Sequence, residues 1–215
     1  QEQVARLKDF WARYGNAITW LLVVVLAGYA AWNGWQWRQR SQASHAAVMY
    51  DELERAAQSA DLDRVNKVAA DLQAQYPGTP FASQGLLLAA RTQFDKNQPD
   101  AAIASLQWVA DKGADEAHRA VARLRLAGVM LDKRQHDAAL KVLEGAWPTG
   151  FAALAADRRG DVLADQGKPA EAVKAWREAW DGMAERSEYR RLVEAKLTAQ
   201  GAAPAPAAPP AGASR

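Results

Sequence analysis

The sequence predicts an all-α protein in which a single N-terminal transmembrane helix precedes a solenoid of stacked helix pairs. Three observations support this fold class. The first is a charge-free apolar run between Arg13 and Arg38. The second is a segment that returns twice in the second half of the chain, and the third is a stripe of small and apolar residues that recurs at helical spacing in each copy.

The apolar run from Tyr14 to Trp37 contains no Asp, Glu, Lys or Arg. As a helix it would extend about 36 Å, which is enough to cross a hydrocarbon layer of roughly 30 Å. Tryptophans lie near both of its ends, as is typical of residues at a membrane interface: Trp11, Trp20, Trp32, Trp35 and Trp37. We therefore predict a transmembrane helix at 14–37 with the lipid bilayer as its partner. The alternative, a cleaved secretory signal, is disfavoured by the Trp-rich continuation.

The orientation of this helix is only weakly determined by charge. Three basic residues precede the run and three follow it: Arg6, Lys8, Arg13, Arg38, Arg40 and Arg55. We predict that the arm 1–13 is cytoplasmic, because short arms before a signal anchor usually are. The arm is either a short amphipathic helix or a plain tail. The chain starts at Gln1 rather than Met, so we expect that some N-terminal residues are missing.

Composition excludes several function classes. A net charge of +2 gives no electrostatic basis for nucleic acid as a partner, and the absence of cysteine excludes disulfides and zinc–cysteine sites. The three histidines lack paired ligand spacing, and no nucleotide-binding or GxSxG motif occurs. We therefore predict a protein that is not an enzyme and that has no catalytic residue, metal or cofactor.

The repeated segment starts with DKNQPDAAIASLQ at Asp95 and returns as DKRQHDAALKVLE at Asp132 and DQGKPAEAVKAWRE at Asp165, at intervals of 37 and 33 residues. In each copy a small residue on a first helix precedes a small residue on a second helix, and apolar residues follow at i+4 and i+7. Val109 and Ala146 occupy two of the i+7 positions. Since one helix pair cannot bury this stripe, neighbouring pairs must stack. The predicted packing residues are Ala90, Ala102, Leu106, Ala127, Ala139, Leu143, Gly160, Ala172, Trp176 and Ala179.

Boundaries follow from glycine, proline and composition. Residues 38–60 contain neither glycine nor proline and are predicted to form a helical neck, which leads into a repeat domain at 61–200. Residues 62–75 form the second helix of an earlier, degenerate copy, which ends at the turn YPGTP, and the last helix spans 187–200 after a Ser187 cap. The Ala- and Pro-rich segment 201–215 is predicted to be a disordered tail.

The spacing of small, aromatic and apolar residues resembles the tetratricopeptide repeat, most closely in the third copy: Gly160, Leu163, Gly167, Ala172, Trp176 and Ala179. The run DAALKVLEGAW, with GFAALAADRRGDVLADQGKPAEAVKAWREAW after it, resembles the YfgM family of bacterial inner-membrane proteins. This resemblance implies a single-pass inner-membrane protein with a periplasmic repeat domain. It also implies an ancillary role at the SecYEG translocon, a PpiD-type membrane-anchored chaperone as partner, and translocating polypeptides as a further one.

Stacked repeats form a curved array whose first helices line a concave face, and such faces bind extended or helical peptides. Projection of the repeat onto this sequence gives five candidate partner-binding residues: Arg91, Phe94, Leu131, Asp157 and Asp161. Solvated charges and core apolar residues are the alternative interpretation of these five. The predicted function is a membrane-anchored interaction scaffold that links protein export to chaperones. The alternative function is a membrane-tethered regulator that sequesters a signalling protein.

Overall fold

The computed structural model describes residues 2–204, with side chains described at residue 16 and from residue 19 onward. Residues 205–215 of the predicted tail lie outside this part of the chain. The described residues form nine α-helices and no β-strand, so the predicted all-α class is confirmed. The helices are α1 (Glu2–Gln58), α2 (Leu62–Gln75), α3 (Pro80–Asp95), α4 (Pro99–Lys112), α5 (Glu116–Asp132), α6 (His136–Leu143), α7 (Ala152–Asp165), α8 (Pro169–Gly182) and α9 (Glu188–Ala199).

The chain divides into two compact units, and the first covers residues 1–45. Its described aliphatic residues from Leu21 to Leu26 are 48–65% exposed, and four of the predicted interface tryptophans are exposed as well: Trp20, Trp32, Trp35 and Trp37. The side chain of the fifth, Trp11, lies outside the described part.

The predicted transmembrane helix at 14–37 lies wholly within α1. Among the described residues, no helix combines the length and the apolar character needed to cross a membrane. The predicted span is therefore not confirmed. Four of its residues, at positions 14, 15, 17 and 18, have side chains outside the described part.

The second unit covers residues 46–215, and its described helices pack as successive antiparallel pairs around three linked apolar clusters. The first cluster joins the end of α1 to α5 through buried leucines such as Leu53 and Leu86. The third joins α5, α6 and α7 around Ala139 and Val162, and the second joins α7, α8 and α9 around Trp176. The core is therefore a continuous stack, as the repeated apolar stripe predicts.

Helix starts follow the local sequence. Pro99 and Pro169 occupy the first positions of α4 and α8, where a backbone N–H has no helical partner to lose. The Thr79 hydroxyl accepts a hydrogen bond from the Ala82 amide at 3.2 Å and caps α3. The segment 62–75 coincides with α2, whereas Ser187 occupies the N-cap position of α9 without a side-chain capping bond.

One predicted helix ends earlier than expected. Helix α6 stops at Leu143, and Ala146, predicted as part of the buried stripe, is exposed in the following loop, so that prediction was wrong. The helical path ends at Glu144, whose backbone is extended (φ −70°, ψ 161°), and Gly145 follows with a left-handed φ of 84°. The Arg123 guanidinium then donates hydrogen bonds to the carbonyls of Val142 (3.1 Å), Ala146 (3.1 Å) and Glu144, and thereby satisfies the carbonyls that a longer helix would have used.

Candidate partner-binding groove

A groove of about 440 Å³ lies among α3, α5 and α7, which are the first helices of three consecutive pairs. One residue of α4 contributes to its floor. We call this feature the arginine groove, and it is lined by Ala90, Arg91, Phe94, Leu106, Arg125, Gly128, Val129, Asp132 and Arg158. Its position matches the face that the repeat architecture makes available to extended or helical peptides.

Each of the three first helices contributes one guanidinium to the arginine groove. The Arg91 side chain lies 3.8 Å from Asp95, and Arg158 lies 3.9 Å from Asp161. Both separations exceed the length of a good N–H···O bond. Among the described residues, the Arg125 side chain has no hydrogen-bond or ion-pair partner. The groove therefore presents several charged N–H donors that make no hydrogen bond to any described acceptor.

Apart from the arginines and Asp132, the lining of the arginine groove is apolar. Phe94 is 39% exposed, an unusual fraction for a phenylalanine on a packed helix, and it lies beside Leu106 and Val129. At Gly128 a Cβ would lie 3.7 Å from the Arg158 guanidinium, so this guanidinium packs over the α5 backbone. The groove can therefore accept an apolar side chain next to a charged one.

The structure brings two of the five predicted partner-binding residues, Arg91 and Phe94, into the groove. Leu131 is half-buried and packs against the cluster that joins α5, α6 and α7. Asp157 and Asp161 instead bind α9. Asp157 is 1% exposed and accepts hydrogen bonds from the Tyr189 hydroxyl (2.7 Å) and the Lys196 ammonium (2.8 and 2.9 Å).

Asp161 belongs to the same cluster. It accepts a hydrogen bond from Lys196 at 2.6 Å and another from Trp176 Nε1 at 3.1 Å. Its carboxylate oxygen Oδ1 is therefore already occupied by two donors from other helices. The two aspartates hold helix α9 on helix α7. Both oxygens of Asp157 are used in this way, whereas Asp161 keeps its Oδ2, which lies 3.9 Å from Arg158.

Sequence reasoning missed Arg125 and Arg158. A signal was present, because each lies two positions before the small packing residue of its copy, Ala127 and Gly160. The corresponding position of the first copy is Leu88, and its arginine, Arg91, comes one helical turn later. The repeat register therefore contained two of the three groove arginines.

The ten predicted packing residues are all buried. At Gly160 the neighbouring helix approaches the backbone very closely. A Cβ built on Gly160 would lie 2.4 Å from Cδ1 and Nε1 of the Trp176 ring. Only a glycine lets α7 and α8 approach this closely around an indole.

Other surface features are less suited to recognition. A depression of about 520 Å³ lies between α6 and α8, but its Arg159 is already paired with Glu178. In the part of the chain with described side chains, no group of three or more His, Asp or Glu residues is arranged to hold a metal ion. His136 makes a single contact of 2.6 Å to Asp165, which links two consecutive repeats.

Comparison with known proteins places this architecture in a family. Residues 8–202 match the family described as tetratricopeptide repeat-like domain. The chain is 34% identical to a Neisseria gonorrhoeae protein named ancillary SecYEG translocon subunit, over 92% of this chain and 95% of that protein. An Escherichia coli protein of the same name is 34% identical over 81% of this chain and 84% of its own length.

A Haemophilus influenzae protein with that name is 27% identical over 83% of this chain and 87% of its own length. Among solved structures, the crystal structure of MamA aligns with 70% of this chain and 85% of its own, at 18% identity and a TM-score of 0.49. From the match over residues 8–202 and the two relatives at 34% identity, we conclude that the chain belongs to the YfgM family of tetratricopeptide repeat-like proteins, the ancillary SecYEG translocon subunits.

Proposed function

We propose that this chain is a membrane-anchored, non-catalytic scaffold that works beside a SecYEG-type export channel. The observation that carries the proposal is the similarity over 92% of the chain to a relative named ancillary SecYEG translocon subunit. The arginine groove supplies a surface for polypeptide partners. Tetratricopeptide folds host many functions, so the assignment to protein export rests on the relatives rather than on the fold.

The proposed membrane anchor is the segment 14–37, with the arm 1–13 in the cytoplasm and the repeats in the periplasm. The anchor, but not its orientation, is supported by the charge-free sequence and by the exposure of Leu21 to Leu26 in the described part of α1. A contiguous apolar surface of this kind requires cover from lipid or protein. In this orientation the repeats lie within reach of a PpiD-type chaperone and of polypeptides that emerge from the channel.

Crosslinking in intact cells tests the proposal. The full chain is purified in mild detergent after crosslinking, and the eluate is probed for SecY and for a PpiD-type chaperone. A matched chain of residues 1–60 shows which partner needs the repeats. We expect the full chain to recover both proteins and the shorter chain to lose the chaperone. Recovery of neither protein by the full chain would falsify the proposed function.

A further inference from the structure

We propose that the arginine groove binds an acidic polypeptide segment that carries an apolar side chain among its carboxylates. The inference rests on the proposed function, because it names the chemistry of a partner that such a scaffold would hold. It concerns the groove lined by α3, α5 and α7 and no other surface of the chain.

The first argument is local charge. The nine residues that line the groove include three arginines and one acid, Asp132. The whole chain is close to neutral, with 27 Lys and Arg against 25 Asp and Glu, so the excess of arginine over acid among the lining residues is a local feature. Asp95 and Asp161, 3.8 and 3.9 Å from Arg91 and Arg158, offset part of this charge and leave Arg125 as the guanidinium without an ion pair in the described part of the chain. A low-dielectric concave surface strengthens the attraction for charge of the opposite sign.

The second argument is the hydrogen-bonding state of the guanidiniums. Arg125 has no acceptor in the described part of the chain, and the carboxylates near Arg91 and Arg158 are 3.8 and 3.9 Å away. The acid near Arg158 is Asp161, whose Oδ1 accepts from Lys196 and Trp176 while its Oδ2 lies 3.9 Å from the Arg158 guanidinium, beyond hydrogen-bond length. A carboxylate placed between these side chains would gain charged, bidentate hydrogen bonds that the free protein lacks.

The third argument is selectivity. Phe94, Leu106 and Val129 provide an apolar floor, and Phe94 is 39% exposed. A purely apolar peptide would cover the guanidiniums without pairing them, which costs desolvation energy. A peptide with carboxylates on either side of an apolar residue satisfies both parts of the groove.

Fluorescence anisotropy tests the proposal on the full chain in non-ionic detergent micelles. The probe is a labelled peptide of about twelve residues built from Glu, Leu and Ala, and its match has Gln in place of every Glu. The Gln peptide also reports partition into the micelles. We expect the affinity for the Glu peptide to fall as the salt concentration rises. We expect Arg125→Gln to weaken binding of this peptide about three- to tenfold. Arg177→Gln removes a guanidinium that is exposed on α8, and this control should leave the affinity unchanged.

Three results would overturn the inference. The first is equal affinity for the Glu and Gln peptides, and the second is equal affinity of the Arg125→Gln and Arg177→Gln proteins for the Glu peptide. The third is a dimer of the unmutated chain that Arg125→Gln converts to a monomer in light scattering, which would assign the groove to a second copy of the chain. Recovery of SecY with both variants after crosslinking would show that the proposed function stands even if the groove chemistry is wrong.

Discussion

Gly160 is the residue at which packing tolerates least change. A methyl group there would meet the Trp176 ring at 2.4 Å, and the ring is fixed in place because its Nε1 donates to Asp161. We expect Gly160→Ala to destabilise the repeats by about 1–3 kcal/mol through overpacking. Urea unfolding followed by circular dichroism measures this change on the full chain in micelles.

Gly128→Ala is the matched control, since Gly128 also lies inside a helix. Its nearest neighbour atoms would be 3.7 Å from the new methyl group, which is an ordinary contact distance. Alanine is a better helix former than glycine by about 0.5–1 kcal/mol. The control should therefore be neutral or stabilising, and equal losses at the two glycines would contradict the packing assigned to Gly160.

The packing residues could be predicted from the sequence because burial repeats with the period of the fold. Positions such as Ala102, Ala139 and Ala172 recur at a fixed place in each copy, and all three are fully buried. The burial of Asp157 and its hydrogen-bond partners could not be predicted in this way. Its acceptors are filled by Tyr189 and Lys196, which lie 32 and 39 residues away on a helix outside the repeat register.

Helix α9 is held by polar as well as apolar contacts. Its two buried apolar residues are Val193 and Leu197, and its polar contacts to α7 go to two carboxylates, the buried Asp157 and its neighbour Asp161. Removal of one partner from such a buried cluster lowers the free energy of unfolding, because it leaves a buried charge without an ion-pair partner. Helix α9 therefore closes the stack through a polar cluster as well as through apolar cover.

The pH dependence of stability should report the contact between α9 and α7. Burial, reinforced by the hydrogen bond to Asp157 and the charge of that carboxylate, raises the pKa of Tyr189 above its ordinary value of 10.0. The unfolded chain thus ionises this tyrosine before the folded chain does. The stability that Tyr189 contributes is fully present below pH 10.0 and decreases as the pH rises toward the folded pKa.

We therefore expect Tyr189→Phe to cost about 1 kcal/mol at neutral pH, through loss of the hydrogen bond to Asp157. The difference from the unmutated chain should shrink as the pH rises above about 10. Urea midpoints of both proteins at pH values of about 8 and about 11 measure it. A difference that stays constant over this range would show that the folded and unfolded states ionise Tyr189 alike.

Loops between helices were harder to predict than the helices themselves. Proline and glycine mark the turns, but the early end of α6 depends on Arg123, which lies on another helix and also stacks on Trp147 at 3.8 Å. In the same way, Arg190 of α9 stacks on Trp180 of α8 at 3.8 Å and donates a hydrogen bond to the Trp180 carbonyl at 3.1 Å. Such contacts join residues 10 to 24 positions apart, so local propensity does not reveal them.

At the scale of the whole molecule, the order of helices could be predicted because the period of the sequence is the period of the stack. The environment of the first unit, residues 1–45, could not be predicted in this way. Exposed aliphatic residues such as Leu22 and Val24 show that the described part of α1 leaves an apolar surface uncovered. What covers this surface depends on molecules outside the chain, and the nearly balanced flanking charges give little information on orientation.

Orientation can be measured directly because the chain contains no cysteine. Ala203→Cys places a single thiol at an exposed position after α9, and Glu2→Cys places one in the arm. We expect a membrane-impermeant maleimide to label the Ala203→Cys protein once the outer membrane is opened, and the Glu2→Cys protein only after the inner membrane is broken. The reverse pattern would put the repeats in the cytoplasm, out of reach of periplasmic chaperones. Labelling of both thiols before the inner membrane is broken would rule out segment 14–37 as a membrane anchor with a cytoplasmic arm.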